Sequence, residues 1–215
     1  MFNKIGLENF RELSDEELDK WQNLLMIHRF ALEEIKTKLN ILNEECSMIQ
    51  DCNPIGYIKT RLKKPYSIRE KLLRKGYEFS VDNAMKNIQD ISGVRIICSF
   101  KSDIFVVADM IKNQDDIEVV RESDYITNPK VNGYQSYHLI VKVPVFMSKR
   151  YEKVCVEIQI RTSAMDFWAS LEHKINYKFN NIAPEEILEE LKICAHISSE
   201  LDERMYKIKQ KILDE

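Results

Sequence analysis

The longest regular pattern in the chain runs from Leu18 to Ile49. Apolar side chains stand at Leu18, Trp21, Leu25, Leu32, Ile35, Leu39, Leu42, Cys46 and Ile49, alternately three and four apart, and His28 fills the one gap. This is a heptad seam, and it predicts one long helix over about residues 14–50. Ser14-Asp15-Glu16-Glu17 ahead of it has capping-box form, with Ser at the cap and Glu three residues on. His28 reads as a tolerated seam residue, not a ligand. A second stripe follows Pro184, at Ile187, Leu191, Cys194, Leu201, Met205, Ile208 and Ile212, with Ser198 in the weak position. Two such seams exceed what one small sheet can cover, so part of them is expected to lie between subunits.

Between the helical ends the period falls to two. Alternating apolar runs predict strands at Gly93–Phe100, Ile117–Arg121, Ser136–Val145 and Lys153–Arg161. Helical spacing predicts helices at Asp103–Asn113 and Ser163–Phe179, the latter capped by Thr162 or Ser163. The expected fold class is α+β (mixed α/β), a central mixed β-sheet with flanking helices. The expected organisation is a helical segment at 1–53, a central domain at 54–183 and a C-terminal helix at 184–215.

One strand breaks the apolar rule. Glu157, Gln159 and Arg161 alternate along it and so share a face. Burying a charge without a partner is costly, so such a row needs partners or a ligand. It reads as the floor of a polar site.

Composition narrows what the site can serve. Of 215 residues, 44% are hydrophobic and 31% charged, as expected of a folded globular chain. No apolar run reaches the roughly 18 residues of a membrane span, and the N-terminus does not read as a signal peptide. The five cysteines, Cys46, Cys52, Cys98, Cys155 and Cys194, are scattered and odd in number. They are expected to be free thiols in a reducing cytoplasm. The net charge of −3 hides a basic stretch from Lys59 to Lys75, with eight basic residues against one acid. Lys59, Arg61 and Lys63 alternate on an extended segment. Lys71, Arg74 and Lys75 follow at helical spacing. A solvated charged face explains the second half of this run but not the first, whereas a polyphosphate cradle explains both.

Two further fragments carry chemistry. Asp90-Ile-Ser-Gly-Val-Arg95 leads an acid and an arginine into an apolar strand. Asp90 has the chemistry to ligate a hard cation, and Arg95 to pair with phosphate or stack on a base. The alternative is a capping Asp90 paired with Arg95. Lys130-Val-Asn-Gly-Tyr134-Gln-Ser-Tyr-His138 is an Asn-Gly turn opening a strand, where Tyr134 offers a face to a base. The alternative is a hairpin turn with ordinary β-aromatics. His138 has no second His or Cys at ligand spacing, which leaves it a hydrogen-bonding or structural role. The chain contains no P-loop, G-x-G-x-x-G, G-x-S-x-G or H-E-x-x-H. Phosphate chemistry here must use side chains and a metal in place of a glycine loop.

Four motifs in one order carry a resemblance. They are R-x-K at Arg61–Lys63, DISGVRI at 90–96, GYQSYH at 133–138 and EIQIRTSAMDFWASLEH at 157–173. Across roughly Pro54–Phe179 the chain resembles the synthetase domain of the RelA/SpoT alarmone synthetases, with its best match among the small, RelQ- or RelP-like synthetases. The family's hydrolase and C-terminal regulatory domains have no counterpart in this sequence, which resembles a synthetase only. The resemblance implies a nucleotidyltransferase-like fold and transfer of the β,γ-diphosphate of ATP to the ribose 3′-hydroxyl of GDP or GTP. It assigns Asp90 and Glu157 to Mg²⁺, with Glu157 also orienting or deprotonating the 3′-hydroxyl. It places Arg61 and Arg95 around adenine and Lys63, Lys71 and Arg74 on the ATP phosphates. Tyr134 would stack on guanine, with Lys130, His138 and Gln159 lining the acceptor side. It further implies a cytoplasmic homotetramer, with an alarmone or single-stranded RNA as allosteric ligand. Gln135 and Tyr137 depart from the usual G-Y-R-S-L-H, and Ser123 stands where some relatives carry Arg. Fewer cations near the acceptor leave GTP, GDP and GMP open. Two other readings are a transferase acting on adenine nucleotides or tRNA 3′ ends, and a non-catalytic nucleotide or RNA binder.

Overall fold

The structure is a computed structural model and describes residues 13–50, 53–179 and 183–213. Cys52 and the first twelve residues, on which two of the expectations above fall, lie outside these segments. Helix α1 (Asp15–Gln50) starts at the expected box: Glu17 accepts from the Ser14 amide at 2.9 Å, and Ser14 Oγ accepts from the Glu17 amide at 3.3 Å. Its seam is buried within the chain from Trp21 to Cys46, and only Ile49 stands out, 71% exposed. His28 is buried in that seam. Its Nδ1 meets Ser92 Oγ at 2.7 Å, while that hydroxyl donates to the His28 carbonyl at 2.9 Å. The serine proton is thereby used, so Nδ1 carries the hydrogen. Burial pushes His28 down to about 4, and the ring is neutral.

The remaining elements follow as β1 (Ile55–Leu62), α2 (Pro65–Arg74), α3 (Val81–Asn87), β2 (Ser92–Cys98), α4 (Lys101–Lys112), β3 (Glu118–Asp124), β4 (Tyr137–Phe146), β5 (Tyr151–Thr162), α5 (Ser163–Lys178) and α6 (Glu185–Leu213). The strands form one sheet in the order β1-β2-β5-β4-β3. Only the β2–β5 pair is parallel. The mixed sheet with flanking helices is the architecture the sequence pattern predicts. Strand β1 shows in the pattern only as an extended basic segment, and helix α3 is missed: seven residues capped by Ser80, whose hydroxyl accepts from the Asn83 amide at 3.2 Å, are too few to show a period.

One face of the sheet is apolar. Val94, Ile96, Leu139, Val141, Ile158 and Ile160 pack there against α1 and α4 in the main core. A smaller core joins Trp21 and Leu25 of α1 to Ile68 and Leu72 of α2 and Ile88 and Ile91 around α3. Burying each such side chain contributes roughly 1.5–3 kcal/mol. With α1 and α4 both on the apolar side, the opposite face of the sheet is left for the polar rows.

Helix α6 is held differently. Leu191 and Ala195 pack on Trp168 and Ala169 of α5, and Trp168 Nε1 donates to the Leu191 carbonyl at 2.8 Å. Beyond Ala195, hydrogen bonds and an ion pair tie it to the rest of the domain. Thr162 donates to Asp202 at 2.6 Å, Lys101 to Ser199 at 3.0 Å and Lys209 to Asp103 at 3.1 Å. The outer residues Ile197, Leu201, Met205, Ile208 and Ile212 are exposed in the single chain. Cys46, Cys98, Cys155 and Cys194 are all free thiols, and burial raises Cys98 to about 12. Among the described residues, no helix is long and apolar enough to cross a membrane.

Candidate active site

Strand register assembles the polar face. Arg61, Gly93, Glu157, Ile140 and Arg121 lie in one row across all five strands. Lys59, Arg95, Gln159, His138 and Ser123 form the next. Directly opposed residues share a face, so Arg61, Arg95, Glu157, Gln159 and His138 are brought together as the sequence predicts. Gly93 stands between Arg61 and Glu157 in the first row. A Cβ there would meet only the Arg61 carbonyl, at an ordinary 3.7 Å. What Gly93 provides is an open floor between Arg61 and Glu157.

Asp90 sits at the edge of this floor, in the turn before β2. Lys63 and Lys71 both reach its Oδ2 at 2.8 Å, while Oδ1 is buried without a hydrogen-bond partner. The capping pair with Arg95 is not formed, because Arg95 binds Asp166 at 2.9 Å. Burial raises the Asp90 pKa, but the two lysines outweigh it and hold the carboxyl below its ordinary value. Lys63 and Lys71 are therefore carboxylate-bound in this state. Arg74 is exposed in the last turn of α2, and among the described residues no contact draws it into the cluster.

The other side is a closed network around Arg161, whose side chain is 4% exposed. Its Nε donates to Ser136 Oγ at 3.2 Å and Nη1 to Asp166 Oδ1 at 3.2 Å. Its Nη2 donates to Tyr134 Oη at 2.6 Å and to Gln159 Oε1 at 2.8 Å. Gln159 passes this on, donating through Nε2 to Glu157 at 3.0 Å. An ion pair between Glu157 and Arg161, the plainest way to satisfy the row, is not made. Tyr134 Oη, loaded by Arg161, donates its own proton to His138 Nε2 at 2.8 Å. His138 then presents Nδ1–H toward Glu157, 3.8 Å away. Burial first, then the charges of Arg161, Lys130 and Arg121, hold His138 down to about 3. The imidazole is neutral, so this approach is not an ion pair. Among the described residues no cation neutralises Glu157.

Tyr134 lies on the loop before β4. Lys130 Nζ sits 4.7 Å from the Tyr125 ring centre and 5.0 Å from that of Tyr134, and Tyr125 meets Tyr134 edge-on. The loop turns at Gly133, which has φ +89° and whose added Cβ would come within 2.4 Å of Ala195 on α6. Two separate constraints therefore require glycine there. Gln135 lines a narrow crevice with Gly133, Met165, Trp168, Ala195 and Ser198. Ser123 is the departure that lies on the polar face, opposite His138.

Sequence reasoning missed Asp166, Ser136, Tyr125 and Arg121 as members of the site. Asp166 is the consequential omission, being 6% exposed and bound to two arginines. Its only signal was an acid in the first turn of a helix that starts directly after the polar strand.

A half-buried acid with one unpartnered oxygen fits Mg²⁺. This hard cation is usually held by one or two carboxylates together with substrate phosphates. No group of three or more His, Cys, Asp or Glu able to hold a metal occurs among the described residues, so a cage made by protein alone is not what this site offers.

An α+β domain whose mixed sheet offers a carboxylate-bearing, cation-rimmed face belongs to the class that handles phosphorylated ligands. The comparisons make the class specific. Residues 60–182 match the region found in RelA/SpoT proteins. The chain is 48% identical over 195 residues to GTP pyrophosphokinase YwaC of Bacillus subtilis (strain 168), covering 91% of this chain and 93% of that one. The crystal structure of small alarmone synthetase 2 from Bacillus subtilis superposes with a TM-score of 0.81 at 49% identity, over 89% of this chain and 98% of the other. Small alarmone synthetase 1 from Bacillus subtilis, bound to its product pppGpp, gives 0.82 at 38% identity, over 90% and 98%. The chain belongs to the RelA/SpoT family, and its fold is that of the small alarmone synthetases.

Proposed function

We propose that this protein is a GTP/GDP pyrophosphokinase that moves the β,γ-diphosphoryl group of ATP onto the ribose 3′-oxygen of a guanine nucleotide. In this reaction O3′ attacks the β-phosphorus, the bond from that phosphorus to the α-bridging oxygen breaks, and AMP leaves. The observation that carries the reading is Glu157: a carboxylate without a counter-cation among the described residues, held by Gln159 on an open, cation-rimmed floor. It takes the 3′-hydroxyl proton as the new O–P bond forms. A hydroxyl is a very weak acid, so an ionised carboxylate beside it is the group the reaction needs. Family membership and the pppGpp bound to small alarmone synthetase 1 support the same reading.

The donor sits on the β1–β2 side. Arg61 and Arg95 are diagonal neighbours on adjacent strands, about 7–8 Å apart in such pairs, and take adenine between their guanidinium planes. Lys63, Lys71 and Arg74 hold the ATP phosphates, the two lysines leaving Asp90 as the triphosphate arrives. Asp90 and Glu157 would hold Mg²⁺, which would offset the charge that develops on the phosphates in transfer. The acceptor sits on the β4 side: Tyr134 stacks on guanine, with Lys130, His138 and Gln159 beside it. The enzyme works in the cytoplasm as a homo-oligomer joined through the outer stripe of α6.

Glu157→Gln tests the assignment. With labelled ATP, Mg²⁺ and GTP, GDP or GMP, transfer is expected to fall by roughly 10²–10⁴-fold while nucleotide binding persists. Near-normal turnover would remove Glu157 from the chemistry. The same incubation with the native protein decides the reaction itself, since absence of a guanosine 3′-diphosphate with every guanine acceptor would overturn it.

A further inference from the structure

The donor and acceptor sides of the polar face are joined at one atom. Asp166 Oδ1 receives Arg95 Nη1 at 2.9 Å and Arg161 Nη1 at 3.2 Å. Arg95 belongs to the donor side and its side chain is 36% exposed. Arg161 is fully enclosed and leads outward by two paths, through Gln159 to Glu157 and through Tyr134 to His138. Two guanidinium groups meeting on one oxygen would repel without that carboxylate. With it, the cluster keeps a net positive charge next to a floor that must receive polyanions.

We infer that Asp166 is a positioning residue that fixes donor-side Arg95 and acceptor-side Arg161 against each other, so that both nucleotides are held in register for transfer. The inference rests on the proposed reaction for its substrates but not for its geometry. Asp166 is itself buried, 6% exposed. It acts through arginines already oriented when substrate arrives, so neither guanidinium has to be ordered by the ligand. Helix α5 sets where the carboxylate stands. Thr162 caps that helix by accepting from the Met165 amide at 3.2 Å, and the same hydroxyl donates to buried Asp202 of α6. The first turn of α5, with Asp166 in it, is therefore pinned from two sides.

Asp166→Asn keeps the shape and removes the charge. Its KM for ATP and its KM for GDP are expected to rise together, each roughly 5–20-fold, with a smaller fall in kcat and a thermal midpoint within a few degrees of native. A residue that only supported the fold would lower the midpoint and the active fraction and leave both KM values unchanged. Both KM values within twofold of native, or one moving alone, would overturn the proposal. If the Asn variant does not fold, Asp166→Glu moves the carboxylate by one methylene and is expected to raise both KM values at least threefold, with the same overturning outcomes. Equilibrium affinities for a non-hydrolysable ATP analogue and for GDP are measured alongside. They read the tether without turnover, so a native chain that binds both nucleotides yet forms no alarmone counts against the reaction and not against Asp166.

Discussion

The two sides of the polar face are built on opposite principles. On the donor side, Lys63 and Lys71 share one oxygen of Asp90, the other oxygen is unsatisfied, and Arg61 and Arg74 extend from exposed positions. On the acceptor side, every nitrogen of the buried Arg161 guanidinium has a partner, and Tyr134, His138 and Gln159 are already oriented by it. The donor side is left to be completed by a ligand, whereas the acceptor side is complete before one arrives. The difference suits their tasks. A triphosphate and its metal bring charge that can displace a lysine from a carboxylate. A ribose hydroxyl brings none, and must find its base already aimed.

Arg161→Met is the severest way to break the contrast. It leaves Asp166 with only the half-exposed Arg95 and removes hydrogen bonds from Ser136, Tyr134 and Gln159. Breaking a buried charge pair in this way costs roughly 3–5 kcal/mol, read as a lower midpoint in urea. A loss under 1 kcal/mol would mean that the acceptor network is not pre-built.

Acid tests a neutral histidine on each side of the sheet. His138 on the acceptor side stays neutral down to about 3, and His28 under the sheet to about 4. In the unfolded chain both take up protons near pH 6.5. Between those values the unfolded chain binds more protons, so stability is full above about pH 7 and falls as pH drops through 6 and 5. For His28 alone the interval from 6.5 to about 4 corresponds to roughly 3 kcal/mol. His28→Leu, which also strands Ser92, should flatten this dependence in a urea titration from pH 8 to 5. An unchanged slope would place the acid sensitivity elsewhere.

How far the sequence revealed this site follows from the range of the contacts. The row of Glu157, Gln159 and Arg161 was legible because a strand alternates, and Asp90 because it precedes one. Their partners were not. Local reasoning pairs Asp90 with Arg95 and Glu157 with Arg161, both nearby in sequence. The chain instead brings Lys63 and Lys71 to Asp90, and Asp166 to Arg95. Which residues meet across strands depends on register, and register is set by the whole sheet. The second seam shows a related limit. Ile187 and Leu191 face inward as an apolar period suggests, but below them α6 is held by Thr162–Asp202 and Lys209–Asp103. A hydrophobic pattern carries no sign of such polar pairs.

On the donor side, substitution should affect binding and spare the fold. Arg61 is exposed on β1, so Arg61→Ala is expected to change stability by no more than about 0.5 kcal/mol. Losing one plane of the adenine clamp removes about 1–2 kcal/mol of cation–π attraction, a rise in KM for ATP of roughly 5–30-fold with the KM for the guanine nucleotide unchanged. Comparable rises in both constants would show that Arg61 belongs to the coupled network around Asp166, and that the division between the two sides is drawn in the wrong place.

The smallest effect on the chain itself is expected at the outer stripe of α6. Ile197, Leu201, Met205, Ile208 and Ile212 recur four, four, three and four apart and are all exposed, which is the spacing of a helix-packing seam left uncovered among the described residues. Removing α6 would be a poor test, because its inner side supports Gly133 and caps the α5 junction through Asp202. Leu201→Lys with Ile197→Lys changes only the outer side. The unfolding midpoint at fixed monomer concentration should shift only as far as assembly itself stabilises the chain. Light scattering should give the native protein a mass that is a multiple of 25.5 kDa, and the double variant a mass near that single value. A native protein already at the single-chain mass would show that the stripe does not join subunits, and both sides of the polar face would then have to work within one chain.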